Sequence, residues 1–252
     1  MNEVYKKQAR LLLDVLPEVA KEDCFAMHGG TAINLFVRNM PRLSVDIDLT
    51  YIKIAARHET LDGINSALLR IKDSIAALRA SIQVQHKANV CKLLLDDRGT
   101  TVKIEVNMVG RGLLAEATQG SLCDRAQEEF DAFCLMRLVP LAQLYGGKVC
   151  AALDRQHPRD LFDVMLLLGN EGFTDEIKRG FLFGLVSGNR PSVEMLKPNL
   201  LDHRTAFEKQ FEGMSAEAFS YDDFEATRLK LIEVVQASLN DEDKVFLLSL
   251  NR

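Results

Sequence analysis

Two aspartates stand two residues apart in a run that favours a β-strand. Asp46 and Asp48 lie within residues 45–54, and alternate side chains of a strand share a face, so both carboxylates point the same way. Carboxylates this close repel each other, whereas a divalent cation such as Mg²⁺ or Mn²⁺ would bind to both. The pair predicts a metal site, with two solvated aspartates at a strand end as the alternative.

A third acidic side chain lies in a second strand-like run. Residues 102–107 alternate apolar and polar side chains, which places Lys103, Glu105 and Asn107 on one face. If this strand pairs beside the strand of the two aspartates, Glu105 becomes the third carboxylate of a two-metal site. The alternative is an ordinary exposed strand face.

A glycine pair precedes a short predicted helix. Gly29, Gly30 and Thr31 follow a short apolar run and open a helix predicted over residues 31–37. Glycine permits a close backbone approach, and the free N–H groups of a helix N-terminus bind phosphate. The turn is a candidate nucleotide-binding element, although Thr31 could simply cap the helix.

A second group of charged residues lies further along the chain. Lys148, Ala152 and Arg155 have the i, i+4, i+7 spacing of one helix face, so that face carries two cations suited to a triphosphate. Asp160 falls near the start of the next predicted helix, where a carboxylate is also stabilised by the helix dipole. Asp163 lies one turn further on and is the stronger functional candidate of the two aspartates.

These segments together resemble a known family. The sequences His28-Gly-Gly-Thr-Ala-Ile-Asn-Leu, Arg-x-Ser-x-Asp46-Ile-Asp48-Leu and Lys148-Val-Cys-Ala-Ala-Leu-Asp-Arg155, followed by Pro-Arg-Asp160-Leu-Phe-Asp163, are similar to the AbiEii/AbiGii toxins, with which the MenT toxins belong. These are nucleotidyltransferases of the DNA polymerase β superfamily. The resemblance covers residues from about 25 to 168, with the motifs in the expected order.

The resemblance implies a role for each motif residue. Asp46, Asp48 and Glu105 would bind the catalytic metals, and Gly30 with Thr31 would stand for a Gly-Ser pair that positions a nucleoside triphosphate. It also implies that Lys148 faces the triphosphate and that Asp163 is the acidic residue of the last motif. We therefore predict catalytic roles for Asp46, Asp48, Glu105, Lys148 and Asp163, and nucleotide binding by Gly29, Gly30, Thr31, Lys148, Arg155 and Asp160.

The implied reaction transfers a nucleoside monophosphate from an NTP to an acceptor. By resemblance the acceptor is the 3′ end of tRNA, which would block translation, and a separately encoded antitoxin would be the counterpart in a toxin–antitoxin or abortive-infection system. A small-molecule or protein acceptor is an alternative, as is a nucleotide-binding relative without catalysis.

The pattern of elements predicts an α/β (α+β) fold, with a polymerase-β-like mixed sheet and a helical C-terminal region. We expect a nucleotidyltransferase domain over residues 1–135 and a helical domain over residues 136–252 that carries the Lys148 and Asp163 motifs. Apolar spacing predicts helices over 2–16 (ended by Pro17), 58–78, 141–154 and 160–168, and strands over 81–85, 90–95 and 101–108.

Composition excludes several other classes of protein. The 252 residues are 47% hydrophobic and 27% charged, and no run of 18 apolar residues occurs, so we expect no membrane span. Five widely spaced cysteines without a CxxC pair argue against a disulfide framework or a zinc site and suit the cytoplasm. Residues 171–252 contain ten basic and fifteen acidic residues, whereas residues 1–170 are balanced, so composition indicates no broad nucleic-acid-binding surface.

Overall fold

A computed structural model describes residues 1–188 and 190–250 of the chain. The chain forms two compact units, Met1–Pro140 and a second that begins at Leu141. In the described part of the chain, every helix is too short or too polar to cross a bilayer. All five cysteines are free thiols.

A seven-stranded mixed sheet forms the centre of the first unit. Its strand order is β3-β4-β5-β2-β1-β7-β6; the β2/β5 and β1/β7 pairs are parallel and the other pairs antiparallel. The strands are β1 (Phe25–His28), β2 (Asp46–Tyr51), β3 (Ile82–Lys87), β4 (Lys92–Asp97), β5 (Thr100–Arg111), β6 (Thr118–Ser121) and β7 (Leu135–Leu138).

Alternation along the strands separates an apolar sheet face from a polar one. Ile47, Leu93 and Ile104 of three neighbouring strands are fully buried, and each such side chain contributes about 1.5–3 kcal/mol. The helices of this unit are α1 (Glu3–Ala20), α2 (Gly29–Ala32), α3 (Arg57–Leu78) and α4 (Asp124–Phe130). Helices α1 and α3 pack on the sheet and on each other, so the core lies between them and its apolar face.

The first helix does not end where the sequence indicated. Pro17 lies inside α1, which continues to Ala20, so the prediction that proline terminates it is wrong. A proline in a helix interior costs about 3 kcal/mol. Leu16 and Val19 are both fully buried on either side of it, and their burial offsets that cost.

The second unit is helical. Its helices are α5 (Leu141–Arg155), α6 (Pro158–Asn170), α7 (Asp175–Val186), α8 (Ser192–Leu196), α9 (Arg204–Gln210), α10 (Tyr221–Ser238) and α11 (Asp241–Leu250). Helices α5 and α7 touch through their backbones: a Cβ added at Gly180 would lie 1.8 Å from the carbonyl oxygen of Ala142, and one added at Gly146 would lie 2.1 Å from the carbonyl carbon of Gly180. The predicted α/β fold with a helical C-terminal region is confirmed.

Candidate active site

The strand that carries the two aspartates is flanked by the strands predicted to support it. Strand β2 runs parallel to β5, with Asp46 opposite Lys103 and Asp48 opposite Glu105, and antiparallel to β1 on its other side. Paired residues of neighbouring strands project to the same face. The structure therefore places the three carboxylates of Asp46, Asp48 and Glu105 at adjacent positions on one sheet face, which we call the carboxylate face.

Two lysines lie among these carboxylates. The Nζ atom of Lys103 is 3.6 Å from Oδ2 of Asp46 and 3.9 Å from Oε2 of Glu105, while Nζ of Lys92 is 3.0 Å from the same Oε2. The side chains of Lys103 and Glu105 are both 41% exposed. Solvent-exposed ion pairs of this kind contribute about 0–1 kcal/mol, so these contacts are easily exchanged.

The donor set of the carboxylate face suits a hard divalent cation. Aspartate and glutamate oxygens are the protein ligands that Mg²⁺ takes. Among the described residues, no group of three or more His, Cys, Asp and Glu side chains stands in a metal-binding arrangement. The ammonium of Lys103 is within 4 Å of both Asp46 and Glu105.

Gly29 and Gly30 have a packing reason as well as the predicted phosphate role. Gly29 has φ +76°, and a Cβ there would lie 2.3 Å from Oδ2 of Asp48. At Gly30 a Cβ would lie 2.8 Å from Nη2 of Arg42 and 3.2 Å from Oγ of Ser44. The pair therefore lets the chain pass directly beside the carboxylate face.

Thr31 holds the start of β2 through its side-chain hydroxyl. Its side chain is fully buried, and its hydroxyl donates a hydrogen bond to the carbonyl oxygen of Asp46. Oγ of Ser44 lies 2.8 Å away; since the one proton of Thr31 is engaged, Ser44 is the donor in that contact. The hydroxyl of Thr31 is thus bonded to the backbone of β2.

Arg42 and Ser44 are residues to which sequence reasoning assigned no role. Both are buried, and Nη1 of Arg42 donates to the carbonyl oxygen of Leu43 at 2.9 Å. The sequence does contain a pattern that indicates their position. In Arg42-x-Ser44-x-Asp46-x-Asp48, a continued two-residue period places all four side chains on one face.

The charged residues of the second unit form a buried cluster between α5 and α6. Nζ of Lys148 is 2.7 Å from Oδ1 of Asp160 and 2.9 Å from Oδ2 of Asp163. Arg155 adds two contacts to Asp160, from Nε at 2.6 Å and from Nη2 at 3.1 Å. We call these four side chains the ion cluster; three of them are buried, whereas the side chain of Arg155 is 62% exposed.

Charge compensation within the ion cluster is strong. Burial opposes ionisation of Asp160, but the charges of Lys148 and Arg155 outweigh it and hold the pKa of that carboxyl well below its usual range. The capping role considered for Asp160 is taken by His157, whose ring accepts a hydrogen bond from the N–H of Arg159.

Lys148, predicted to face a triphosphate, contacts two carboxylates in this structure. Its ammonium is held between Asp160 and Asp163, so it would reach a phosphate only after those ion pairs opened. The spacing along α5 predicts a cationic helix face. It does not indicate that α6 packs the carboxylates of Asp160 and Asp163 against that face.

Comparisons with known proteins identify a family and a similar solved structure. Residues 10–241 match the family described as nucleotidyl transferase AbiEii toxin, type IV TA system. Among solved structures, the chain is similar to MenT4, nucleotidyltransferase toxin Rv2826c from Mycobacterium tuberculosis H37Rv, at 14% identity and a TM-score of 0.73, over 97% of this chain and 87% of that one. No curated protein matches the chain. Because the family match spans most of its length, the chain belongs to the AbiEii family of nucleotidyltransferase toxins of type IV toxin–antitoxin systems.

Proposed function

We propose that the carboxylate face transfers a nucleoside monophosphate from an NTP to an acceptor hydroxyl. The acceptor hydroxyl loses its proton to solvent and its oxygen attacks the α-phosphorus. The bond from that phosphorus to the α,β-bridging oxygen breaks, and pyrophosphate leaves. The observation that carries this proposal is the register of β2 against β5, which sets Glu105 beside Asp48 and Lys103 beside Asp46.

Asp46, Asp48 and Glu105 would hold Mg²⁺ or Mn²⁺, which when bound would activate the attacking oxygen and stabilise the charge of the triphosphate. The protein's own task is then to position these groups. Thr31 and Ser44 hold the start of β2, and Gly29 leaves room for the carboxylate of Asp48.

A cavity beside the carboxylate face has room for a nucleotide. It has a volume of about 980 Å³, and Asp46 and Lys103 contribute to its lining together with Gln85 and Leu94. Small-molecule sites usually measure roughly 300–1,000 Å³. We propose that the NTP binds here with its triphosphate toward Asp46 and Lys103.

The ion cluster contributes in two ways under this proposal. Arg155 is its exposed member and is the phosphate-binding residue that we propose for the helical unit, whereas buried Lys148 would act by holding Asp160 and Asp163 in place. The nucleotidyltransferase domain would occupy the α/β half of the chain, and the helical half would carry this cluster.

The proposed acceptor is the 3′ end of tRNA, in the cytoplasm, with a cognate antitoxin as the opposing partner. The family supports a toxin of a toxin–antitoxin system, and the motif resemblance supports tRNA. The balanced charge of residues 1–170 favours a small molecule or a protein as the second candidate acceptor, because composition indicates no broad basic surface.

A labelling assay tests both the reaction and the acceptor. Each α-³²P-labelled NTP is incubated with total RNA, protein and metabolite fractions, and label in the RNA fraction at tRNA size supports the proposal. Asp48→Asn should lower transfer by about 10²–10³-fold, because a charge that stabilises the transition state is lost. Asp62→Asn, an exposed change on α3, is the matched control and should keep activity. Full activity of Asp48→Asn would contradict the mechanism, and label confined to protein or metabolites would contradict the tRNA acceptor.

A further inference from the structure

Lys103 lies where a cation between Asp46 and Glu105 would lie. Its Nζ atom is 3.6 Å from one carboxylate and 3.9 Å from the other, beyond the range of a short charged hydrogen bond. The strand beneath it is firmly held, because its neighbours Val102 and Ile104 are buried. The backbone position is therefore fixed, while the ammonium itself is loosely held.

The charges of the carboxylate face are largely balanced by lysines of the chain itself. Three carboxylates and the ammonium groups of Lys92 and Lys103 leave a net charge of −1 among these five side chains. A free divalent cation therefore meets a face that is already mostly neutralised. To reach Asp46 and Glu105 together, it has to compete with Lys103.

We propose that Lys103 is a resident cation that makes metal binding depend on nucleotide, an inference that rests on the proposed function. Lys103 keeps Asp46 and Glu105 occupied until a triphosphate enters the adjoining cavity, and its ammonium then moves to the phosphate oxygens. Lys103 and Asp46 both line that cavity, so the ammonium can exchange one set of anionic oxygens for the other by a side-chain rotation. In this role Lys103 is a positioning residue that couples the two ligands.

The coupling has a thermodynamic consequence. If the nucleotide withdraws Lys103 from the carboxylates, it strengthens metal binding, and the metal strengthens nucleotide binding by the same factor. Without Lys103 the carboxylates are open to free metal, so metal binding in the absence of nucleotide becomes tighter. The strengthening by nucleotide becomes correspondingly smaller.

Mn²⁺ binding to the full-length protein tests this directly. Free Mn²⁺ is quantified by electron paramagnetic resonance, with and without an α,β-methylene NTP that cannot undergo transfer. Lys103→Met should tighten Mn²⁺ binding without nucleotide by about tenfold and reduce the nucleotide effect by a similar factor. Lys103→Gln should change both in the same direction, which covers the case that the methionine variant folds poorly.

Lys87→Met is the matched control. Lys87 is exposed and lies opposite Lys92 in the register of β3 and β4, one strand further from Glu105. Its replacement by methionine changes the net charge by the same amount as Lys103→Met. It should alter Mn²⁺ affinity by less than about twofold, because its charge is more distant and screened. An equal gain in Lys87→Met and Lys103→Met would overturn the proposal, since the effect would then be one of overall charge.

A second variant separates this inference from the proposed function. Asp46→Asn in the Lys103→Met background should abolish the tightened binding, which locates it at the carboxylate face. If Mn²⁺ binds there but Lys103→Met does not tighten it, the role of Lys103 is wrong and the proposed function stands. If neither the wild type nor the variant binds Mn²⁺ with nucleotide present, the proposed function fails as well.

Discussion

The carboxylate face and the ion cluster are built from the same residue types but differ in how tightly they are closed. On the carboxylate face, lysine-to-carboxylate distances run from 3.0 to 3.9 Å, and the side chains are partly exposed. In the ion cluster the contacts are 2.6 to 3.1 Å, and both carboxylates are buried. Lysines neutralise acidic side chains in both regions. Only the ion pairs of the carboxylate face are easily exchanged for other ions.

This difference determines how readily the ion pairs of each region open. For an exposed ion pair, the free energy gained by pairing nearly equals the hydration free energy that is lost. A ligand therefore displaces such a pair at little cost. A buried pair has lost its water, so removing one partner leaves an uncompensated charge in the interior. The comparison predicts that equivalent lysine substitutions in the two regions have very different effects on stability.

The largest expected effect is that of Lys148→Met. The substitution leaves Asp160 and Asp163 buried beside each other without the ammonium that both contact. Breaking a buried ion pair in this way costs about 3–5 kcal/mol. Urea unfolding followed by circular dichroism measures the loss.

Lys230→Met is a suitable control for that experiment. Lys230 is an exposed lysine in the same helical unit, paired with Glu233 on the surface of α10. It should change the free energy of unfolding by less than about 1 kcal/mol. Equal effects of the two substitutions would show that the ion cluster does not stabilise the helical unit.

Acid should destabilise the ion cluster through Asp160. Because the pKa of that carboxyl is lower in the folded state than in the unfolded chain, its stabilisation is complete above the unfolded pKa, near 4, and is lost as pH falls through the folded value. We expect a loss on the order of 1–3 kcal/mol between about pH 5 and the acid limit. Thermal unfolding of the wild type and of Asp160→Asn over this range measures it. The variant should show a smaller pH dependence, and identical pH dependences would contradict this assignment.

The carboxylate face could be predicted from sequence because a strand has a simple period. Alternation in residues 102–107 put Lys103 and Glu105 on one face, and the parallel pairing with β2 then brought Glu105 beside Asp48. The alternation of apolar and polar residues along the strand therefore determined which side chains could lie beside the aspartates of β2. The contacts of Lys103 with Asp46 and Glu105 could not be predicted in the same way, because the strand period fixes the face of a lysine but not the conformation of its long side chain.

The parts that sequence analysis missed depend on contacts between distant segments. The partners of Lys148 lie on another helix, and nothing in the spacing of α5 specifies which helix packs against it. Strand β7 has four residues and forms a parallel pair with β1, so its short apolar run had no local signal to distinguish it. Helix α1 continues past Pro17 because burial of Leu16 and Val19 outweighs the local helix-breaking effect.

The smallest expected effect is that of Lys92→Met, the same chemical change as Lys148→Met but on the carboxylate face. Lys92 pairs with Glu105 at 3.0 Å, and Glu105 keeps access to water when the lysine is removed because its side chain is 41% exposed. We expect a change of at most about 1 kcal/mol in the free energy of unfolding, measured by the same urea titration. A loss as large as that of Lys148→Met would mean that the carboxylate face is closed in solution. Its lysines could not then be exchanged for incoming ligands, and the distinction between the two regions would be lost.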